Sequence, residues 1–406
     1  MLALLGMVVM VIPAASPASS TKILHAFKGQ PDGIGPRGGL IFDKAGNLYG
    51  ITEAGGAHDA GMVFKLKPNS NGSWTESVLY SFCSLVNCAD GAAPVSGLVF
   101  DGVGNLYGTA GSVVFKLRPN LDGTWTESVL HSFAGPPDGE GPVGVLIFDV
   151  AGNLYGTTGG GGADDSGTVF QLKPNSNGTW AESVLYNFCS LASCTDGAQP
   201  EGGLVFDGAG RLYGTTSFGG SSTNCMNSCG TVFKLTPSIG GWTESVLHSF
   251  EGGDGAFPIT APTFDSTGNL YGETFRGGIL SCKSPNPPGC GTVFKLTPNS
   301  DGSWAESVIR YFYTAATPDG SLTFDAAGNL YGTSIFGGPA NDGRVFKLAS
   351  RSGGGWAYSV LRYFYGEPAL SPVGGVILDK SGHFYGMTNT CGGGYNCTGV
   401  VYEVIP

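Results

Sequence analysis

Charged residues are scarce in this sequence, and basic residues are scarcer than acidic ones. Only 13% of its 406 residues are charged, and 20 Lys and Arg stand against 31 Asp and Glu, which gives a net charge of −11. The basic residues form no cluster anywhere along the chain. Because nucleic acids bind to basic surfaces that neutralise their phosphates, the composition excludes a nucleic acid partner.

Long apolar runs are missing after residue 20, where no segment approaches the ~18 apolar residues that a membrane-spanning helix needs. We therefore expect no membrane span. The exception is the N-terminus, where apolar residues 2–12 precede a segment of Pro, Ala and Ser at 13–20. This pattern predicts a signal peptide over residues 1–18, although no Lys or Arg precedes the apolar run; a buried N-terminal strand is the alternative. A signal peptide implies a secreted, cell-surface or periplasmic protein.

Cysteine motifs for metal binding are absent too. The ten Cys residues form five pairs that are close in sequence, none has the Cys-x-x-Cys spacing, and no His lies near a pair. Metal binding is the alternative, but an even number of neighbouring Cys residues in Gly-, Asn-, Ser- and Pro-rich loops indicates disulfides made in an oxidising compartment. The expected disulfides are Cys83–Cys88, Cys189–Cys194, Cys225–Cys229, Cys282–Cys290 and Cys391–Cys397.

Glycine, in contrast, is abundant, with 70 residues, and it recurs at fixed places in a repeated phrase. The phrase Phe-Asp-x-x-Gly-Asn-Leu-Tyr-Gly returns at intervals of about 50 to 60 residues, a period typical of a β-propeller with one blade per repeat. The last copy is the most divergent. The copies begin at Phe42, Phe100, Phe148, Phe206, Phe264, Phe324 and Leu378.

Each repeat contains four apolar strands separated by turn residues. In one copy strand a is 202–206, strand b 212–216, strand c 230–235 and strand d 242–250. β-Branched and aromatic residues alternate in these segments, and no long helical periodicity appears after residue 20. The sequence therefore predicts an all-β, seven-bladed β-propeller with four antiparallel strands per blade in a single domain, 19–406. The expected blades are roughly 36–82, 94–133, 142–188, 200–250, 258–312, 319–364, and 372–406 together with 21–27.

The last repeat lacks its own d strand. Trp opens a d strand in each of the other six repeats, whereas the seventh ends after strand c. Residues 22–27 match the d strand at 245–250, so we expect the N-terminal strand to complete the outer edge of the last blade, beside 400–404. Such pairing closes the ring without a covalent link.

Two series of Asp residues recur with the blades. The Asp of the repeated phrase is expected to cap the a–b turn, because its side chain can accept backbone N–H bonds there; calcium binding or catalysis is the alternative. A second series lies in the d–a loops and is expected to form Asx turns, with an acidic crown for cations or sugar hydroxyls as the alternative. This series is Asp32, Asp90, Asp138, Asp196, Asp254 and Asp319.

The b–c loops vary most between repeats, and the Cys pairs lie in the b–c and d–a loops, which share one face of a propeller. Variable loops on a rigid scaffold commonly bind ligands. Residues that break the repeat on this face are candidate ligand-binding residues: His58, Asp59, Asp164, Asp165, Arg276, Asn341, Asp342 and Tyr395. They form no recognised catalytic constellation. His25, His131 and His248 occupy equivalent d-strand positions and are interpreted as structural.

The repeat resembles the bacterial GloVer tandem repeat family, also called choice-of-anchor tandem repeat proteins. The resemblance rests on the a–b hairpin phrase, on Gly-Thr-Val-Phe-Lys-Leu-x-Pro and on Trp-Thr-Glu-Ser-Val-Leu-Tyr-Ser-Phe, and it spans about residues 21–406. It implies an exported propeller that is often attached to the cell surface by a C-terminal sorting signal. This chain ends at Pro406 with no such signal. The resemblance carries no activity and no functional residues.

Two functions are compatible with these patterns. The first is a secreted, non-enzymatic binding or scaffold protein, expected as a monomer, that contacts a glycan or an extracellular protein through its disulfide-braced loops. The alternative is a metal-assisted hydrolase or lyase with a site at the central channel. The a strands are poor in ligand side chains, and Glu201 is the one acidic residue expected immediately before such a strand. We therefore expect no catalytic residues, no cofactor and no tightly bound metal.

Overall fold

The computed structural model describes residues 20–279, 289–313, 317–365, 369–390 and 398–406. These residues form seven antiparallel sheets, the blades of a β-propeller, as predicted. Within the described part of the chain, helical structure is limited to two short 3-10 turns, Val86–Cys88 and Ala192–Cys194. No described helix has the length and apolarity to cross a membrane.

The strands are numbered along the chain, and each blade runs from an inner strand a to an outer strand d. The a strands are β2 (Gly33–Phe42), β6 (Val99–Phe100), β10 (Gly139–Pro142) with β11 (Ile147–Phe148), β15 (Val205–Phe206), β19 (Thr263–Phe264), β23 (Thr323–Phe324) and β27 (Leu370–Leu378). The b strands are β3 (Leu48–Gly55), β7 (Leu106–Ala110), β12 (Leu154–Gly161), β16 (Leu212–Thr216), β20 (Leu270–Thr274), β24 (Leu330–Ser334) and β28 (Phe384–Thr390).

The outer strands follow the same order. The c strands are β4 (Met62–Pro68), β8 (Val113–Pro119), β13 (Thr168–Pro174), β17 (Thr231–Ser238), β21 (Thr292–Pro298), β25 (Arg344–Ser350) and β29 (Val400–Ile405). The d strands are β5 (Trp74–Ser81), β9 (Trp125–Ser132), β14 (Trp180–Asn187), β18 (Gly241–Ser249), β22 (Trp304–Tyr311), β26 (Trp356–Tyr363) and β1 (Ser20–Ala26). Blades 1 to 6 begin with β2, β6, β10, β15, β19 and β23, and blade 7 has the order β27-β28-β29-β1.

The ring closes through the first strand of the chain, which confirms the predicted exchange. Strand β1 pairs antiparallel with β29, from Ser20 opposite Ile405 to Ala26 opposite Val400. The ladder continues into the following residues, because the Thr398 N–H donates to the Phe27 carbonyl at 2.8 Å. Strand c of blade 7 is therefore covered on its outer edge, which would otherwise present unpaired backbone groups.

The hydrophobic core is divided into seven clusters, one at each contact between neighbouring blades, which we call seams. The Tyr of strand b meets the Phe of the next a strand and the Trp that opens the next d strand. Tyr49 of blade 1, for instance, lies edge-on to Phe100 at 5.0 Å and to Trp125 at 6.5 Å between ring centres. Such pairs contribute about 0.5–1.5 kcal/mol each beyond the area they bury. The repeated Tyr and Trp thus hold each blade to its neighbour.

The a–b turn is held by the Asp of the repeated phrase. In blade 1, Asp43 Oδ1 accepts the N–H groups of Ala45 and Asn47, while Oδ2 accepts the Asn47 amide and the Tyr49 hydroxyl. Gly46 adopts a φ of +81°, which glycine tolerates best. The predicted turn-capping role is confirmed, and equivalent bonds are made by Asp101, Asp149, Asp207, Asp265, Asp325 and Asp379.

Candidate functional site

One face of the propeller carries the b–c and d–a loops, and three predicted disulfides brace it. Cys83–Cys88 and Cys189–Cys194 lie in d–a loops, and Cys225–Cys229 lies in the b–c loop of blade 4. Cys290 is also disulfide-bonded. Its expected partner Cys282 lies outside the described residues, as do Cys391 and Cys397. We call this side of the molecule the braced face.

The candidate residues taken from the sequence are distributed over several blades of the braced face. His58 and Asp59 lie in the b–c loop of blade 1, Asp164 and Asp165 in that of blade 3, Arg276 in that of blade 5, and Asn341 and Asp342 in that of blade 6. Tyr395 lies outside the described residues. The candidates therefore occupy separate loops rather than a common cluster.

Several of these side chains close their own loops. Asp59 and Asp165 have φ values of 56° and 51°, and their Oδ1 atoms accept the N–H groups of Gly55 and Gly161. Asn341 makes the same contact in blade 6. These three residues have a structural role that explains their position in the loop.

The other candidates differ in exposure. His58 and Asp164 are exposed. The Arg276 guanidinium lies 5.1 Å from the centre of the Phe275 ring, and burial lowers the pKa of Arg276. The Asp342 carbonyl accepts the N–H of Ser371.

Five of the six Asp residues assigned to the d–a loops close those loops, but they accept N–H groups that lie upstream in the chain and so do not form the expected Asx turns. Asp32 accepts the Lys28 N–H at 3.0 Å and contacts His25 Nε2 at 3.3 Å. Asp90 instead accepts the Tyr80 hydroxyl at 2.7 Å. Asp138 and Asp254 repeat the contact with a His, and Asp196 repeats the contact with a Tyr hydroxyl.

Asp319 was wrongly placed in that series. Pro318 pairs with Ser334 in the way that Pro36 pairs with Thr52. Asp319 directly follows this Pro and therefore corresponds to Arg37 of blade 1. The d–a loop before blade 6 has no Asp upstream of its Pro. The Asp319-Gly320 dipeptide resembles the Asp-Gly of the other loops but lies after the Pro instead of before it. The consequence is that Asp319 lies at the central channel.

The central channel is lined by the residue after this Pro in every blade. These residues, with small neighbours, surround a cavity of about 140 Å³. The a strands converge so closely that a Cβ on Gly374 would collide with the Gly38 carbonyl oxygen. The seven lining positions are Arg37, Val95, Val143, Glu201, Ile259, Asp319 and Val373. Only three of the seven are charged, and these break the symmetry of the ring.

The three charged channel residues differ in their polar contacts and burial. Arg37 Nε donates to Glu53 Oε2 at 2.6 Å, with both side chains about two-fifths exposed, at 43% and 40%. The Ser217 hydroxyl donates to Glu201 Oε2 at 2.9 Å. Burial raises the pKa of Asp319, an effect that the charge of Arg37 opposes.

A further acidic residue lies behind the channel wall. Glu273 of β20 is 1% exposed, and neither of its carboxyl oxygens has a hydrogen-bond partner within the described structure. It faces blade 6, where a Cβ on Gly332 would lie 2.9 Å from Glu273 Oε1. Burial raises the pKa of Glu273 well above its usual value, and the nearby Asp319 raises it further. Sequence analysis missed Glu273, although its copy of the repeat reads Leu-Tyr-Gly-Glu where most others have Leu-Tyr-Gly-Thr.

A larger pocket of about 340 Å³ opens on the braced face at blade 4. Both of its walls are disulfide-bonded loops, one containing Cys189–Cys194 and the other Cys225–Cys229. We call it the blade-4 pocket. It is lined by Ser193, Cys194, Ala198, Gln199, Phe218, Gly219, Asn227 and Ser228.

The polar lining of the blade-4 pocket is held in an unusual backbone conformation. Ser193, Gln199, Asn227 and Ser228 have φ values of 58°, 54°, 63° and 64°. Non-glycine residues rarely adopt this region, and they retain it only where the surroundings enforce it. The Gln199 backbone donates to the Ser166 carbonyl at 2.7 Å and accepts from the Ser217 N–H at 2.9 Å. Backbone hydrogen bonds within the protein therefore hold Gln199 in this conformation.

Blade 2 shows what the pocket requires. Its d–a loop has the same disulfide spacing, and Ala93 occupies the Gln199 position with a φ of 48° and donates to the Ala60 carbonyl. Its b–c connection between Ala110 and Val113 is short, so the second wall is missing. The long b–c loop of blade 4 and Gln199 are thus what distinguish the pocket. Sequence analysis identified the loops and disulfides but not the pocket residues.

The opposite face also has openings between blades. A groove of about 610 Å³ at blades 5 and 6 is lined in part by Tyr271, Lys295 and Trp356, and one of about 470 Å³ at blades 2 and 3 has the equivalent Tyr107, Lys116 and Trp180. Their lining consists of repeat residues that already hold the seams together. These grooves are therefore a consequence of the repeat.

Comparison with known proteins relates the chain to a repeat family and to several propellers. The model of the Gloeobacter/Verrucomicrobia repeat matches residues 111–284, in agreement with the resemblance seen in the sequence. No curated protein matches the chain.

Solved structures share the fold at low sequence identity. Virginiamycin B lyase from Staphylococcus aureus is 14% identical with a TM-score of 0.56, and the match covers 96% of this chain and 99% of the lyase. A streptogramin B lyase is 16% identical with a TM-score of 0.55, at coverages of 96% and 99%. The extracellular domain of a hybrid two-component system from B. thetaiotaomicron is 8% identical with a TM-score of 0.58, covering 93% of this chain and 39% of that one. At these identities the likeness concerns the fold alone.

Proposed function

We propose that this chain, whose residues 111–284 match the Gloeobacter/Verrucomicrobia repeat, is a non-enzymatic binding module that holds a neutral glycan in the blade-4 pocket. The observation that carries the proposal is the pre-formed pocket between two disulfide-bonded loops. Rigid loops lose little conformational freedom when a ligand binds, which improves affinity. The volume of the pocket lies at the lower end of the range for small-molecule sites, so it suits the end of a saccharide.

The chemistry of the lining favours a neutral sugar. Gln199 and Asn227 supply amides, Ser193 and Ser228 supply hydroxyls, and Phe218 supplies a half-buried ring. Among the described residues, no charged side chain lines the pocket. The four polar side chains are exposed or half-buried, so their amides and hydroxyls can reach sugar hydroxyls. The net charge of −11 disfavours acidic glycans.

Export of the protein is part of this proposal. The three described disulfides fit an extracellular or periplasmic compartment, where thiols are oxidised. The proposed signal peptide at residues 1–18 lies outside the described residues. Glycans on cell surfaces would be accessible to a protein in that location.

A glycan array with the folded, oxidised protein identifies the ligand, and titration with the best neutral saccharide then compares variants. Gln199→Ala reproduces the residue found in blade 2, and Asn227→Gly preserves the left-handed backbone. Each should weaken binding about 3- to 10-fold, the effect of one neutral hydrogen bond. The matched control is Asn87→Gly, which makes the same change in the blade 2 loop and should leave affinity unaltered.

The array also discriminates between partners. If no saccharide binds but an extracellular protein does, and Gln199→Ala weakens that complex, the pocket is a protein-binding site and the glycan proposal is wrong. If all variants bind a saccharide equally, the ligand lies elsewhere on the propeller.

A metal-assisted hydrolase or lyase at the central channel is the second candidate. Buried Glu273, with two unpartnered oxygens beside Asp319, is the observation that favours it. The fit to a hard cation is poor, however, because calcium takes six to eight oxygen ligands. Four of the seven channel positions are Val or Ile, and Arg37 brings a positive charge. Elemental analysis that finds a metal in the purified protein, and its loss in Glu273→Gln, would favour this candidate over the first.

A further inference from the structure

Five seams between neighbouring blades contain a pair of carboxyl groups. One is the Asp of the d–a loop, and the other is the Glu that follows two residues after the Trp of the next d strand. Each Glu lies near enough to its Asp for that charge to act on it, and each has a buried Oε1 atom without a partner among the described residues. The pairs are Asp32–Glu76, Asp90–Glu127, Asp138–Glu182, Asp196–Glu244 and Asp254–Glu306.

The two carboxyl groups are present together or absent together. The seams before blades 6 and 7 have no Asp in the corresponding loop, and the Glu positions are then Tyr358 and Thr21. At the first of these seams the Arg310 guanidinium lies 3.8 Å from the centre of the Tyr358 ring, so a cation rests on an aromatic face instead. Loop closure by Asp requires no Glu. The paired occurrence therefore indicates that the two acids act jointly.

Three of the five seams add a histidine to the pair. His25, His131 and His248 contact the Asp of their seam through Nε2 at 3.3, 3.1 and 2.8 Å. At the seam of blades 4 and 5, the ligand atoms of His248, Asp254 and Glu306 all lie within 4.8 Å of one another. Ligands bonded to a tetrahedral zinc ion are separated by roughly 3.3 Å, so small side-chain rotations would complete the geometry.

The surroundings of this triad are suited to holding a metal. The His248 ring lies edge-on to Phe250 at 4.8 Å between ring centres, and the Glu251 N–H donates to Asp254 Oδ1 at 2.8 Å. Such outer contacts orient metal ligands. His248 and Asp254 remain 21% and 20% exposed, so an ion and a water molecule can enter. Glu306 Oε1, which has no hydrogen-bond partner among the described residues, is the remaining candidate metal ligand.

We propose that His248, Asp254 and Glu306 form a divalent transition-metal site of the zinc class, with water as the fourth ligand. One imidazole nitrogen and two carboxylates suit zinc, whereas calcium requires more oxygen ligands than this seam offers. The metal takes the place of a proton between His248 Nε2 and Asp254, and the neutral imidazole then carries its N–H proton on Nδ1. It links strand β18 of blade 4 to strand β22 of blade 5.

The chain itself supplies a substitution that preserves the fold. The two other carboxyl seams carry Tyr80 and Tyr186 at the histidine position, each with its hydroxyl donating to the local Asp. His248→Tyr therefore converts the proposed site into a seam type that the propeller already contains. Glu244→Gln is the matched control, because it removes the same carboxyl group from a seam without histidine.

The test uses the tag-free, oxidised protein after chelation and desalting, titrated with Zn²⁺ in a calorimeter and with Co²⁺ by visible absorption. We expect the wild type and Glu244→Gln to bind Zn²⁺ at this site with equal affinity, and His248→Tyr and Glu306→Gln to bind it at least 10-fold more weakly. Tetrahedral Co²⁺ absorption should be lost in the same two variants. Unchanged zinc affinity in His248→Tyr, or no zinc binding by the wild type, would overturn the proposal.

Discussion

Ile23 in the first strand of the chain lies opposite Tyr402 in the last, and the two side chains pack in the cluster that joins blade 6 to blade 7. Tyr402 is fully buried. The last blade is therefore built from both ends of the polypeptide, and ring closure depends on noncovalent contacts between them.

Removal of the closing strand should destabilise the whole ring. Deleting residues 20–27 removes Phe27, which is fully buried, and Leu24, which is 8% exposed. Loss of such core side chains costs about 2–5 kcal/mol each, so we expect Tm to fall by about 10 °C or more in thermal unfolding. The control is the chain that begins at residue 20. A monomer of equal Tm without the strand would contradict the account of ring closure.

Acid should weaken the a–b turns. Burial alone would raise the pKa of Asp265, but hydrogen bonds from Asn269 and Thr267 lower this pKa to about 2. A depressed pKa in the folded state stabilises the protein above the unfolded value of 3.8, and this contribution is lost as pH falls through about 2. Urea unfolding at pH 5 and pH 3 should show a smaller loss of stability for Asp265→Asn than for the wild type, by about 1 kcal/mol after allowance for solvent screening. Equal losses of stability in the variant and the wild type would contradict the lowered pKa of Asp265.

The carboxyl pairs should have the opposite pH dependence. Burial, reinforced by Asp90 and Asp196, raises the pKa of Glu127 and Glu244 to about 7. The folded state then binds more protons than the unfolded state between pH 4.5 and 7, so stability contributed by these groups declines as pH rises through that window. The double variant Glu127→Gln with Glu244→Gln should raise the free energy of unfolding at pH 8 by about 1 kcal/mol per site. It should also show a smaller decline of that free energy between pH 4.5 and 7. A double variant that is less stable at pH 8 would argue against proximity of the acids.

The disulfide in the wall of the blade-4 pocket should matter more for binding than for stability. Cys225–Cys229 closes a loop of few residues, so its entropic contribution to folding is limited to about 2 kcal/mol. Replacing both residues by Ala should lower saccharide affinity about tenfold by releasing Asn227 and Ser228 from their fixed conformation. The same replacement at Cys83–Cys88 is the control. Equal affinity in the two double variants would show that the disulfide does not shape the site.

The fold was predictable because independent features of each repeat agree. The Asp-x-x-Gly-Asn turn, the alternating strands and the missing last d strand all indicate the same ring, and the structure confirms them. The error concerned Asp319, where a common dipeptide was aligned in place of the pairing position of Pro318. A turn dipeptide is a weaker guide to register than a residue with a fixed strand partner.

The sites were less accessible to sequence analysis, for physical reasons. The left-handed conformation of Gln199 depends on tertiary contacts, because a Gln side chain does not favour it on its own. Likewise, His248 and Glu306 belong to different repeats and meet only across a seam. The repetition of His248 in equivalent d strands suggested a purely structural role, whereas the joint absence of Asp and Glu at the two remaining seams is a signal that the sequence does contain.

Locating the bound saccharide tests the central claim most directly. A crystal structure of the oxidised protein with its best neutral glycan from the array should show the sugar in the blade-4 pocket, within hydrogen-bond distance of Gln199 and Asn227 and against Phe218. Density for the sugar at the central channel or in the grooves lined by Trp180 and Trp356 would contradict it.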